Sequence, residues 1–267
     1  MPPARKRTRS YDSAKIRAAV LAQFGHVREA VRTLTPEQLA LPTRLGDWTV
    51  RELAAHFALA VGSVVRSVER PEPAQREVGL LDWPSMTAGR AGAIDEDTRA
   101  IADAAQDLDA LHALYERTAA ELADTLAATS DDRLVEARTG AMRLGDYLVT
   151  RTVELVVHTD DLNDATGLGV PYDRQAVAAC VRLLADALAV KAPGGSVEVR
   201  IPPYAVVQCV EGPRHTRGTP PNVVETDPLT WIRLATGRTE WGEALGAAQV
   251  SASGERADLS GLLPLLG

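Results

Sequence analysis

Aromatic side chains are scarce. They make up 4% of the chain, with only two phenylalanines. The core must therefore rest on leucine, valine and alanine, and alanine-rich cores favour closely packed helices. Cysteine is nearly absent as well. Cys180 and Cys209 lie in segments of different character, and neither has a Cys or His at metal-finger spacing. The expectation is two reduced thiols in a cytoplasmic protein. No apolar run approaches the roughly 20 residues a membrane helix needs. A basic excess is missing too: the net charge of -7 argues against nucleic acid as a partner, because phosphate binding needs a basic surface. Lysine is limited to Lys6, Lys15 and Lys191, and no function is drawn from that. Residues 1–10 are basic but lead into no apolar segment, so they read as a disordered tail and not a secretory signal.

What remains is 45% hydrophobic over 267 residues, long for one core and comfortable for two domains. From Tyr11 to Leu34, Ile16, Val20, Phe24, Val27 and Val31 recur at helical spacing. Thr35-Pro-Glu-Gln38 and Thr49-Val-Arg-Glu52 are capping boxes, each starting a helix. The second helix carries His56 among Leu53, Phe57 and Ala60. Pro71 to Gly92 reads as a long loop, where Trp83 and Met86 either cover a pocket or anchor the loop. One long helix is expected from Asp97 to Ala128, with His112 structural, and another from Asp146 to Ala165, stopped by Gly167. Arg143-Leu-Gly-Asp-Tyr147 echoes Arg44-Leu-Gly-Asp-Trp48, which suggests that two helices enter with similar geometry. These four principal helices indicate a bundle, and a further helix spans Tyr172 to Val190.

Beyond Lys191-Ala-Pro-Gly-Gly195 the pattern changes. Strands are expected at 196–201, 205–210, 222–225 and 249–253. A helix capped by Asp227 and stopped by Gly237 lies between them, and a last short helix is expected over 257–266. The fold class is therefore α+β, with a helical bundle over 11–190 and a small α+β domain over 196–267.

The segment with most chemistry is Arg151-Thr-Val-Glu-Leu-Val-Val-His-Thr-Asp-Asp161. Arg151, Glu154, His158 and Asp161 follow at spacings of three or four and share one helix face. A solvated stripe of ion pairs explains that spacing. So does a metal site, if His56 supplies the third ligand, although a lone His among apolar residues is more often part of a core. Two imidazoles and a carboxylate suit zinc or another divalent ion with an open fourth position. That position takes a water or a thiol, and a coordinated thiol is deprotonated. Asp161 and Arg151 would orient the ligands.

The string Leu45-Gly-Asp-Trp-Thr-Val-Arg-Glu-Leu-Ala-Ala-His56 and the string from Arg151 to Leu162 resemble the two signatures of the mycothiol-dependent maleylpyruvate isomerase family. The resemblance implies a DinB-like metal-binding four-helix bundle with zinc held by His56, Glu154 and His158. Trp231 to Arg238, with Ala252-Ser-Gly254 and Asp258-Leu-Ser260, resembles the family's sterol-carrier-like C-terminal domain. It implies that an arginine, matched here by Arg238 with Arg233 nearby, closes over the site. It also implies mycothiol as cofactor, attacking a small electrophile as a zinc-bound thiolate. Arg151 is the candidate to bind the cofactor, and Arg238, or another arginine, to hold a substrate carboxylate in a bidentate clamp. Expulsion after bond rotation gives cis–trans isomerisation, and retention gives S-conjugation. Two rivals are a metal-dependent hydrolase with Asp161 as general base and a non-catalytic protein that binds small molecules or lipid.

Overall fold

The computed structural model describes residues 9–212 and 220–266. Of the expected tail, residues 1–8 lie outside that range, and Arg9 pairs with Asp186 at 2.8 Å. Helix α1 (Ser13–Val31) buries the apolar face read from its spacing. Both capping boxes form, at Thr35 before α2 (Pro36–Leu39) and at Thr49 before α3 (Val50–Glu69). In each, the cap side chain and the third helical side chain satisfy backbone N–H groups that would otherwise lack acceptors.

The segment expected as one long helix is two, α4 (Ala91–Ala104) and α5 (Leu108–Ala128). The break lies at Asp107, whose carboxylate accepts from Ala110 N at 2.8 Å and starts a new helix. A hairpin of β1 (Leu134–Ala137) and β2 (Gly140–Arg143) follows, in a stretch where no element was expected. It leads directly into α6 (Leu144–Thr166), which ends at Gly167 with φ 68°. Helices α1, α3, α5 and α6 pack as the bundle, with α3 and α6 side by side.

The two Arg-Leu-Gly-Asp strings do not enter the bundle alike. Gly46 sits in a turn at φ 64°, ahead of the Thr49 cap, whereas Gly145 is already inside α6. The loop after α3 is fastened by Glu77 N and Val78 N, which both donate to Ala141 O of the hairpin. Two 3-10 turns, Trp83–Met86 and Ala88–Arg90, lead it into α4.

Helix α7 (Arg174–Lys191), capped by Asp173, lies between the two parts of the molecule. It packs on α1 and α6 on one side and on the C-terminal sheet on the other. That sheet contains β3 (Val197–Ile201), β4 (Ala205–Cys209), β5 (Val223–Thr226) and β6 (Val250–Ser253), in the order β4-β3-β5-β6. Only the β3–β5 pair is parallel, with Val199 opposite Val224. Helix α8 (Pro228–Ala235) packs on α7, and α9 (Trp241–Gly246), which was not expected, precedes β6. The expected final helix is only a 3-10 turn over Ser260–Leu262. Pro264 holds Leu263 extended, at φ -107° and ψ 149°. Cys180 and Cys209 are buried and no disulfide joins them. No helix among the described residues is long and apolar enough to cross a membrane.

Candidate metal centre

Two adjacent helices carry the candidate ligands. His56 lies two turns into α3 and is buried at 5% exposure. Glu154 and His158 lie one turn apart on α6, facing it. His56 Nε2 and His158 Nε2 are each 3.4 Å from the same Glu154 oxygen, Oε2. One ligand atom from each of the three residues falls within 4.8 Å of the others. Ligands about 2.0–2.2 Å from a tetrahedral ion lie roughly 3.4 Å apart, so the spacing fits a small divalent cation.

The other ring nitrogens are held from behind. His158 Nδ1 lies 2.9 Å from Asp161 Oδ2, and His56 Nδ1 lies 3.4 Å from Thr98 Oγ1 on α4. A carboxylate only accepts, so His158 Nδ1 donates to Asp161. In the neutral ring Nε2 then turns a lone pair toward the Glu154 carboxylate. That arrangement calls for a cation between them, either a proton or a metal ion, and so the donor chemistry fits a metal as well as the spacing does.

The electrostatics follow. Burial lowers the pKa of His56, favouring the neutral ring a metal requires. Burial also works against charge on His158, but hydrogen bonds to Asp161 and Glu154 raise its pKa. For Glu154 burial opposes ionisation, yet His158, His56 and the charge of Arg151 hold its carboxyl well below the usual range. Asp161 is fully buried. There too burial opposes ionisation and is outweighed, by the hydrogen bond and charge of His158 and by Arg238.

Arg238 joins the site from the C-terminal domain. Its Nε and Nη2 donate to the two oxygens of Asp161, at 3.2 and 2.9 Å, and its Nη1 to Thr236 O at 2.7 Å. Arg233 pairs instead with Asp160, at 2.9 and 2.7 Å. Arg151 is buried over the Tyr147 ring, 3.7 Å from Glu154 Oε1, and donates to Thr150 Oγ1. His112 is remote from these residues, with its Nε2 3.4 Å from Val31 O.

Two cavities meet at His56 and Glu154, with Trp83, Thr87 and Ile94 shared between them. Trp83, at 4% exposure, therefore both anchors its loop and walls the site. One cavity, of about 440 Å³, is largely apolar and reaches Trp48, Val157 and Leu266. The other is narrower, about 80 Å³, and takes its polar lining from Ser63, Tyr147, Arg90, Arg138 and Arg151.

Thr98, Asp160 and Arg44 were missed from sequence. Thr98 had no signal, because a threonine in a helix has no chemical signature of its own. Asp160 adjoins Asp161 in a visible acidic pair. Arg44, paired with Asp164 at 2.7 Å and 3.5 Å from Asp161, opens a string singled out only as a repeat.

The chain has no match among curated proteins. Residues 173–265 match the family model described as bacterial SCP ortholog, so α7 falls within that match. Among solved structures, the crystal structure of a mycothiol-dependent maleylpyruvate isomerase is similar at TM-score 0.60 and 17% identity, covering 96% of this chain and 97% of that one. A histidine-to-alanine mutant of an enzyme of that name gives the same values. At that identity the likeness establishes the fold. Residues 20–163, which contain His56, Glu154, His158 and Asp161, match the family model described as mycothiol maleylpyruvate isomerase N-terminal domain, and the chain belongs to that family.

Proposed function

We propose that this protein is a mycothiol-dependent metalloenzyme in which a thiol sulfur attacks an electrophilic carbon of a small molecule. His56, Glu154 and His158 would hold the ion, and their two nitrogens and one carboxylate suit zinc. The ion would supply a Lewis acid that keeps a coordinated thiol deprotonated at neutral pH. The observation that carries this reading is the pair of imidazole Nε2 atoms on one Glu154 oxygen, at the junction of two cavities.

The chain's own residues divide the remaining work. Asp161 fixes the His158 ring, and Thr98 the His56 ring, so that both Nε2 atoms face inward. Arg238 holds Asp161 in place and is a positioning residue. Arg151 lies beside Glu154 in the smaller cavity, where it would hold the thiol cofactor. The apolar side shields the reacting carbon from water. A hydrolase reading needs a general base facing the cavity. Asp161, the candidate for that role, is fully buried with both oxygens bonded to His158 and Arg238, and it does not line either cavity.

The test is the metal content of the purified protein beside His56→Ala and His158→Ala variants. The expectation is about one divalent ion per chain, lost in both variants, and a cobalt spectrum that changes when mycothiol is added. A wild type that neither carries nor takes up metal refutes the reading.

A further inference from the structure

The geometry points to an uncharged, largely apolar electrophile as the substrate of this site, seated in the larger cavity between Trp48 and Trp83. This deepens the proposed function and rests on its placing of the reaction at the junction of the two cavities.

The walls of that cavity carry the argument. Leu45, Ile94, Val153, Val157 and Leu266 line it together with the two tryptophans. Its charged lining, apart from His56, Glu154 and His158, is Asp47, Asp95 and Arg238 among the described residues. Among the described residues Arg238 is the single arginine or lysine on the walls of that cavity. Its charge is already matched by the buried Asp161, and its Nη1 is on Thr236 O. Asp95 accepts from Trp48 Nε1 at 2.6 Å, and Arg99 ties Asp95 to Asp47. The rim thus presents acceptors and the walls present hydrocarbon. A small dicarboxylate entering it loses hydration and finds no unmatched arginine or lysine on its walls. An uncharged unsaturated ketone loses little and buries its carbon skeleton. Addition balances as thiol plus enone. The C–S bond forms at the β-carbon as the C=C π bond opens toward the carbonyl, and the thiol proton ends on the α-carbon.

The experiment uses the full, metal-loaded chain and two probes, benzalacetone as uncharged enone and maleate as dicarboxylate. Binding is read by quenching of tryptophan fluorescence, and turnover separately by loss of enone absorbance with mycothiol. Benzalacetone is expected to bind at least about tenfold more tightly than maleate. In Leu45→Arg that ratio falls or inverts. In Ile94→Ala enone binding weakens while maleate binding is unchanged, which serves as the check if the arginine variant does not fold. Maleate binding as tightly as benzalacetone in the wild type overturns the inference. Preferential enone binding without thiol-dependent turnover leaves the inference standing and refutes the proposed function instead.

Discussion

Asp161, with Arg44 3.5 Å away, serves two hydrogen-bond partners with one carboxylate. It accepts from His158 Nδ1 through Oδ2 and from Arg238 through both oxygens, with no exposure to water. Removing its charge strands the Arg238 guanidinium and frees the imidazole to rotate. Asp161→Asn is therefore expected to weaken metal binding by about 10- to 100-fold, the usual effect of losing an outer partner of a ligating histidine. It should also cost about 3–5 kcal/mol of stability, as breaking a buried pair does. Asp164→Asn is the matched control, because Asp164 is exposed and its pairing with Arg44 is screened by solvent. It should change stability by less than about 1 kcal/mol and leave metal binding alone. Zinc titration and urea unfolding of both variants decide it. Equal metal affinities would mean that Asp161 does not orient His158. At this scale the sequence offered the three candidate ligands and Asp161 behind them, but not Thr98. Helical spacing puts Glu154, His158 and Asp161 on one face, whereas the contact of Thr98 with His56 depends on how α4 folds back over α3.

The elements were legible where a local signal fixes the backbone and illegible where two signals compete. Thr49-Val-Arg-Glu52 names its own helix start, and α3 begins there. The hairpin of β1 and β2 escaped notice because its strands have four residues each and turn through Arg138-Thr139, with none of the Asn-Gly or Asp-Gly chemistry that marks a tight turn. Asp107 is a helix cap inside a run of helix formers. The apolar periodicity passes across it, but the hydrogen bond to Ala110 N breaks the helix. The repeated Arg-Leu-Gly-Asp string misled most. Gly46 takes a positive φ because the helix start is deferred to Thr49, while Gly145 continues straight from β2 into α6. Gly46→Ala places a Cβ in the left-handed region and is expected to cost about 1 kcal/mol. The same change at Gly145 gains helix propensity of similar size, offset by a new Cβ 3.2 Å from Asp131 Cβ. Denaturant midpoints of the two variants should therefore differ, with Gly46→Ala the less stable. Coincident midpoints would mean that the two strings fold alike after all.

In the whole molecule, two consecutive carboxylates on α6 receive the C-terminal domain. Asp160 takes Arg233 and the Tyr172 hydroxyl, and Asp161 takes Arg238. From sequence, the two arginines, five positions apart, could not be told apart for proximity to the site, because the choice depends on how α8 lies against α6. The division between them gives a test of whether the C-terminal domain acts on the proposed metal centre. A ligand that binds only the folded chain adds about 2.7 kcal/mol of stability at a hundred times its dissociation constant. Arg233→Met removes a pair on Asp160, which touches no member of the triad, so it should lower stability by similar amounts with and without metal. Arg238→Met leaves buried Asp161 with the His158 hydrogen bond and the more distant Arg44, 3.5 Å away, drawing the ring toward Asp161 and toward its protonated form. The stabilisation by metal should then shrink at a fixed zinc concentration, by about 1.4 kcal/mol for each tenfold loss of affinity. The measurement is urea unfolding of the wild type and both variants, with zinc and with chelator. A smaller metal increment in Arg238→Met alone means that the C-terminal domain acts on the site through Asp161. Equal increments in all three would make both arginines fasteners between the two parts of the molecule and nothing more.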